Sequence, residues 1–137
     1  MSAIGNIAIN DGQATPVLHT FVPYQTTPLP AWNDTVTGLS TVLQSTIKVL
    51  AAKCDTKSGL FKVTLEIALP VGEVVTGQNA AGYTAAPKVA FVAKCVQTWF
   101  LPLRSTEQQR KDLRVLTNGL LSAGQVTALL EKLEIPY

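Results

Sequence analysis

Hydrophobic positions change their period once along this chain, near Leu103. Upstream they fall in short β-type runs broken by turn residues; from Ser105 to Leu133 they recur at helical spacing. The clearest strand is residues 61–69, where Phe61, Val63, Leu65, Ile67 and Leu69 alternate with Lys62, Thr64, Glu66 and Ala68. Strict period two marks a sheet with one buried and one wet face. Residues 45–54 repeat the pattern, with Ile47, Val49 and Ala51 alternating with Lys48, Leu50 and Ala52. Residues 5–10 and 15–22 flank an Asp11-Gly12 turn and predict an N-terminal hairpin, with Pro16 at the start of an edge strand. Residues 23–30 hold three prolines and predict an extended loop; residues 31–38, with Trp32, predict a short strand. A polar hairpin loop is expected at 55–59. Pro70 is expected to end its strand, and residues 71–87, rich in Gly, Ala, Thr and Asn, to form a long adaptable loop. Residues 88–101 alternate little and predict a long strand lying centrally, covered on both sides and closed by Pro102.

The helical block carries its own punctuation. Ser105-Thr-Glu-Gln108 reads as a capping box that opens a helix running to about Leu121, with Leu113, Leu116 and Leu120 on one stripe. Ser122-Ala-Gly-Gln125 reads as a second box, opening a helix to about Leu133 with Val126, Leu129, Leu130 and Leu133 inward. Strands followed by helices predict an α+β fold with the helices segregated to one side of one sheet. The chain reads as a single domain, 1–137, with a hairpin (1–23), a sheet (31–102, long loop 71–87) and two helices (105–134).

Composition adds a need for company. Charged residues are only 15% of the chain and mean hydropathy is +0.24, yet no apolar run approaches the length of a membrane span. Two short helices cover only part of a sheet face, the unpaired edges of a sheet invite another copy, and the long apolar strand at 88–101 carries Trp99 and Phe100. Pairing edge to edge across a two-fold axis satisfies both copies with one surface, so a homodimer is expected. Net charge is +2, which excludes a global polycation, but Lys48, Lys53, Lys57, Lys62, Lys88 and Lys94 all fall in the β block. The start lacks a basic and then apolar leader, which points to synthesis and retention in a cytoplasm. Cys54 and Cys95 have no metal-ligand spacing and are expected as reduced, semi-buried thiols. His19, the only histidine, is expected at the surface or at a contact between copies. No Gly-x-Ser-x-Gly, phosphate loop, dinucleotide fingerprint or metal cluster appears, so no enzyme, cofactor, metal or small-molecule substrate is expected.

The ordered set of features resembles the coat proteins of small single-stranded RNA bacteriophages, the levivirus family. It is carried by Ile-Asn-Asp-Gly…Thr-Pro-Val-x-His-Thr-Phe-x-Pro from Ile9 to Pro23, by Trp32 after the Pro-rich loop, and by Lys62-Val-Thr-Leu-Glu-Ile-Ala-Leu-Pro70. The Gly/Ala-rich loop before the last strand, Arg-Lys-Asp-Leu…Gly-Leu-Leu in the helix and the Ile-Pro-Tyr end complete it over essentially the whole chain. The resemblance implies an N-terminal hairpin, a five-stranded antiparallel sheet and two C-terminal helices forming an interlocked dimer. It implies dimers tiling an icosahedral shell around single-stranded genomic RNA, in a virion assembled in the bacterial host cytoplasm, and no membrane partner. It also implies binding of an RNA hairpin that represses replicase translation. The alternative is a small cytosolic dimeric RNA-binding or ligand-binding module that forms no shell.

RNA recognition calls for phosphate contacts plus capture of splayed bases. The wet face offers Lys62, Thr64 and Glu66 on one strand and, counting back from Pro102, Lys94, Val96 and Thr98 on the next. Lys48, with Leu50 and Ala52 beside it, is expected on the same face, and Lys53 on the opposite one unless a bulge intervenes. Lys48, Lys62, Thr64, Glu66, Lys94 and Thr98 are therefore the candidate RNA-binding residues. Glu66 would repel phosphate and is expected to bond a base amine or a neighbouring lysine. The base-stacking aromatic of the family's studied members falls on Lys94 here, a departure from the residues their mode of hairpin readout uses.

Overall fold

The strand expected at 61–69 is longer than its alternation indicates and anchors the architecture. The computed structural model describes residues 3–35, 40–74, 81–82 and 85–136. Among them lie β1 (Ile7–Asn10), β2 (Leu18–Gln25), β3 (Ala31–Asp34), a 3-10 turn (Thr41–Leu43), β4 (Thr46–Asp55), β5 (Leu60–Gly72), β6 (Val89–Pro102), α1 (Glu107–Leu121) and α2 (Gly124–Glu131). The fold class is α+β, as expected. The strands form one antiparallel sheet of six in sequential order. The hairpin is not a separate unit. Its second strand continues through Pro23 to Gln25 and pairs with β3 (Phe21↔Asp34, Val22↔Asn33, Pro23↔Trp32), absorbing part of the expected loop through a bulge between Pro23 and Gln25. Pro16 precedes β2 instead of opening it.

Pro70 does not end β5. The β4 ladder stops at Thr46↔Ala68, so beyond it β5 has only β6 as a neighbour (Pro70↔Val92), and a residue without an N–H is tolerated. The loop therefore begins later than expected, and its stem is closed by Glu73 N–H donating to Lys88 O at 2.8 Å. The core of that loop, 75–80 and 83–84, lies outside the described residues, as do 36–38 of the strand expected at 31–38. β6 lies at the sheet edge, not centrally, so its weak alternation does not reflect cover on both faces in one copy.

The capping box of α1 is real but shifted by one residue. Thr106 is the cap: its hydroxyl accepts from Gln109 N–H at 3.2 Å, and Gln109 Oε1 accepts from Thr106 N–H at 2.9 Å. Ser105 is unavailable because its hydroxyl donates to Pro102 O at 2.6 Å in the preceding turn. The expected second box is absent. Ser122 closes α1, donating its N–H to the Gly119 and Leu120 carbonyls, and α2 opens from Ala123 with no side-chain cap. Thr106→Ala is expected to lower stability by about 1 kcal/mol, seen as a lower denaturant midpoint with unchanged slope.

Packing within one chain is thin. Among the described residues the buried apolar set is Phe21, Ala31, Ile47 and Ala68, and neither helix contains a buried residue. Accessible surface is 10520 Å², whereas a folded monomer of 14.6 kDa exposes about 6,900 Å². The excess is larger than the share of about 1,000–2,500 Å² that each partner contributes to most obligate subunit interfaces. It includes the helix side of the sheet, where Ile67, Leu69 and Phe91 stand uncovered, and α1, where Leu116 is 70% and Leu120 59% exposed. Cys95, opposite Ile67, and Cys54, opposite Phe61, share this uncovered face, so both thiols are exposed rather than semi-buried as expected. Among the described residues no helix is long and apolar enough to cross a membrane.

Candidate nucleic-acid interface

The opposite face of β4–β6 is polar and cationic, and its composition follows from register. Antiparallel partners project to the same side of a sheet. Lys48 lies opposite Glu66, Glu66 opposite Val96, Thr64 opposite Thr98, and Ala68 opposite Lys94. The six candidate residues chosen by parity, Lys48, Lys62, Thr64, Glu66, Lys94 and Thr98, therefore share one face. Lys94 Nζ reaches Glu66 Oε2 at 3.8 Å, the lysine partner expected for that acid. The Thr64 and Thr98 hydroxyls are 3.3 Å apart, and Thr64 is buried, which leaves Thr98 as the hydroxyl presented outward.

A bulge between Val49 and Ala51 rearranges the rest of β4. Leu50 is the extra residue, so Ala51 and Lys53 join the cationic face opposite Thr64 and Lys62, and Ala52 turns to the apolar face opposite Val63. The expectation that Leu50 and Ala52 flank Lys48 is corrected accordingly, and Lys53 becomes part of the surface. Phe100, opposite Lys62, also belongs to it, with Lys62 Nζ 5.7 Å from the ring centroid. Parity could have found it, because it lies two residues beyond Thr98.

A second polar cluster was not legible in the sequence. His19 sits between two carboxylates: Nδ1 is 2.5 Å from Asp34 Oδ2 and Nε2 is 3.2 Å from Asp11 Oδ2. Asp34 is 1% exposed at the end of β3, and Asp11 organises the β1–β2 turn by accepting from Val17 N–H at 2.9 Å and Gln13 N–H at 3.3 Å. The ring thus ties the hairpin turn to the sheet and is half-buried. The Asp34 hydrogen bond first, then that from Asp11, raises the His19 pKa above 6.5. The Val17 N–H, with smaller help from His19 and Gln13, lowers Asp11 from 3.8 to about 2. A raised histidine pKa means that the folded state favours the imidazolium. That stabilisation is complete below 6.5 and is lost as pH rises through the raised value. The Asp11 contribution runs the other way, present above 3.8 and lost as pH falls through about 2. Thermal melts should therefore show stability falling as pH rises above about 6.5, and His19→Gln should flatten that dependence.

A model of the levivirus coat protein family matches residues 2–137. The chain belongs to that family. A levivirus coat protein is a structural protein of a capsid, and that is the general role of this one. A chain of the virus-like particle of bacteriophage ESE058 superposes with a TM-score of 0.87 at 27% identity, covering 99% of this chain and 100% of its own. One from the virus-like particle of bacteriophage NT-214 gives 0.82 at 28% identity, again covering 99% and 100%. The bacteriophage GA capsid protein gives 0.70 at 16% identity over 93% of this chain and 94% of its own, a likeness of fold alone. No curated protein matches the sequence. Against the five-stranded sheet implied by the resemblance, the described residues of this coat protein form a sheet of six strands because β2 bridges the hairpin to β3.

Proposed function

We propose that this coat protein acts as one domain over its whole length, dimerises, assembles into a closed icosahedral shell and packages single-stranded RNA against its lysine face. The observation that carries the reading is the two-sidedness of the sheet. One face and both helices present apolar surface that a single chain leaves bare. The other presents Lys48, Lys53, Lys62 and Lys94 with Thr98 between them.

Pairing the open β6 edges of two copies extends the sheet, and crossing the helices over it covers the apolar face. Both operations are satisfied by one two-fold axis. The helices then sit on one side of the doubled sheet and the lysines on the other, so a shell with helices outward presents its cations to the genome. The same surface, doubled by the dimer, is suited to an RNA hairpin, with lysines on phosphates and Glu66 accepting from a base amine. Repression of replicase translation follows if that hairpin overlaps the start site. Assembly takes place where the chain and its RNA are made, in the bacterial cytoplasm, and the protein then resides in the virion.

The test is negative-stain imaging of the expressed protein, with nucleic-acid absorbance measured on the same fraction. Closed particles containing RNA are expected. Discrete dimers that bind RNA without closing would favour the small binding module, and a stable monomer would overturn the dimer and the shell together.

A further inference from the structure

We propose that Phe100, with Lys62 beside its ring and Lys53 on the far side of Lys62, is a base-stacking subsite for single-stranded RNA; this rests on the RNA reading above. The ladder register sorts the aromatic residues of β5 and β6 by face. Phe61 pairs with Leu101, Phe91 with Val71 and Trp99 with Val63, all on the apolar side. Phe100 pairs with Lys62 and so projects among the lysines, where it is 58% exposed. A ring in that position contributes little to the core of its own chain. Its cross-strand neighbour is a cation, with Nζ 5.7 Å from the ring centroid, and the bulge in β4 delivers a second cation, Lys53, opposite Lys62.

The arrangement matches the two chemical parts of a nucleotide. An exposed flat ring accepts any base face by stacking, and an ammonium held against that ring is placed to take the adjoining phosphate. Charge decides the occupant: β4 and β5 supply Lys53 and Lys62 at this end of the face, Asp55 opposite Leu60 is held in the hairpin turn by the Lys57 N–H and the Ser58 hydroxyl, and Glu66 faces Lys94. An acidic peptide would satisfy the lysines but leave the ring without a flat partner. Stacking is tolerant of sequence, so the subsite raises affinity for unpaired RNA generally.

The probe is a short single-stranded oligoribonucleotide carrying one 2-aminopurine, whose emission is quenched on stacking. With the full-length wild-type protein, saturable binding and quenching are expected. Phe100→Leu keeps apolar bulk but removes the ring; affinity should fall about tenfold and quenching should diminish, with the salt slope unchanged. Phe100→Tyr should behave as wild type. If Phe100→Leu binds and quenches like wild type, the subsite is wrong and the RNA reading stands. If wild-type protein binds no oligoribonucleotide, the RNA reading falls and takes the subsite with it. Should Phe100→Leu fail to fold, photocrosslinking of a 4-thiouridine oligoribonucleotide to wild-type protein decides: a crosslink in the peptide bearing Phe100 supports the subsite, and crosslinks confined to other peptides overturn it.

Discussion

Leu116→Lys combined with Leu120→Lys is expected to abolish particles and leave poorly folded, weakly associating chains. In a solitary chain both positions are exposed, at 70% and 59%, and replacing exposed leucines by lysine should change stability by no more than about 0.5 kcal/mol. The dimer reading predicts the opposite. Covering the apolar sheet face with the partner's helices buries each leucine, worth about 1.5–3 kcal/mol apiece. Two ammonium groups in their place must also be desolvated or force the helices apart. The sum is comparable to the about 5–15 kcal/mol by which most domains are stable, once a subunit interface is part of the fold. Sedimentation velocity and electron microscopy read the outcome, with Thr106→Ala as a mild control on the same helix. Closed shells of wild-type thermal stability from the double variant would sink the proposal that these leucines are buried between copies.

Reversing Lys48, Lys62 and Lys94 to glutamate together should give the second largest effect, on RNA and not on folding. Each lysine is part of the face built by β4–β6, and none is needed by the buried apolar set. Each phosphate contact to single-stranded nucleic acid contributes about 0.7 to the slope of log affinity against log salt. Losing three should flatten that slope by about 2 and lower affinity by orders of magnitude at low salt. The reversal at Lys94 has a second consequence, because it sets a carboxylate against Glu66 where an ion pair stood. Particles that still form should be depleted of RNA. The informative control is Lys88→Glu, which disturbs the Glu73 pair at the loop stem, away from this face. Particles with unchanged RNA content and salt dependence would reduce these lysines to solubilising charges.

How much was legible differed by element. The β5 alternation and the cap region of α1 were readable because both depend on residues a few positions apart. The cap itself was misplaced by one residue: Ser105 and Thr106 are equally competent donors and acceptors in sequence, and the contact with the Pro102 carbonyl settles which is free. Pro70 was read as a strand end because proline cannot serve two neighbours; here it has only one. The candidate RNA face was found by parity, which holds as long as a ladder keeps register. It failed at Leu50, where one inserted residue moved Ala52 off the face and Lys53 onto it. The His19 cluster left no local signal, since Asp11, His19 and Asp34 meet only when three separate segments fold together.

Period, punctuation and charge spacing are properties of neighbouring residues, and they were enough to set the order of elements, the amphipathic character of β5 and the family to which the chain belongs. Tertiary structure alone decided the bulge that recruits Lys53, the clamp on His19, the position of β6 at an open edge and the bareness of the helix-side face. The reason is physical: each of these is a contact, or a missing contact, between segments far apart along the chain, and the free energy of such a contact depends on a register that only the assembled sheet defines.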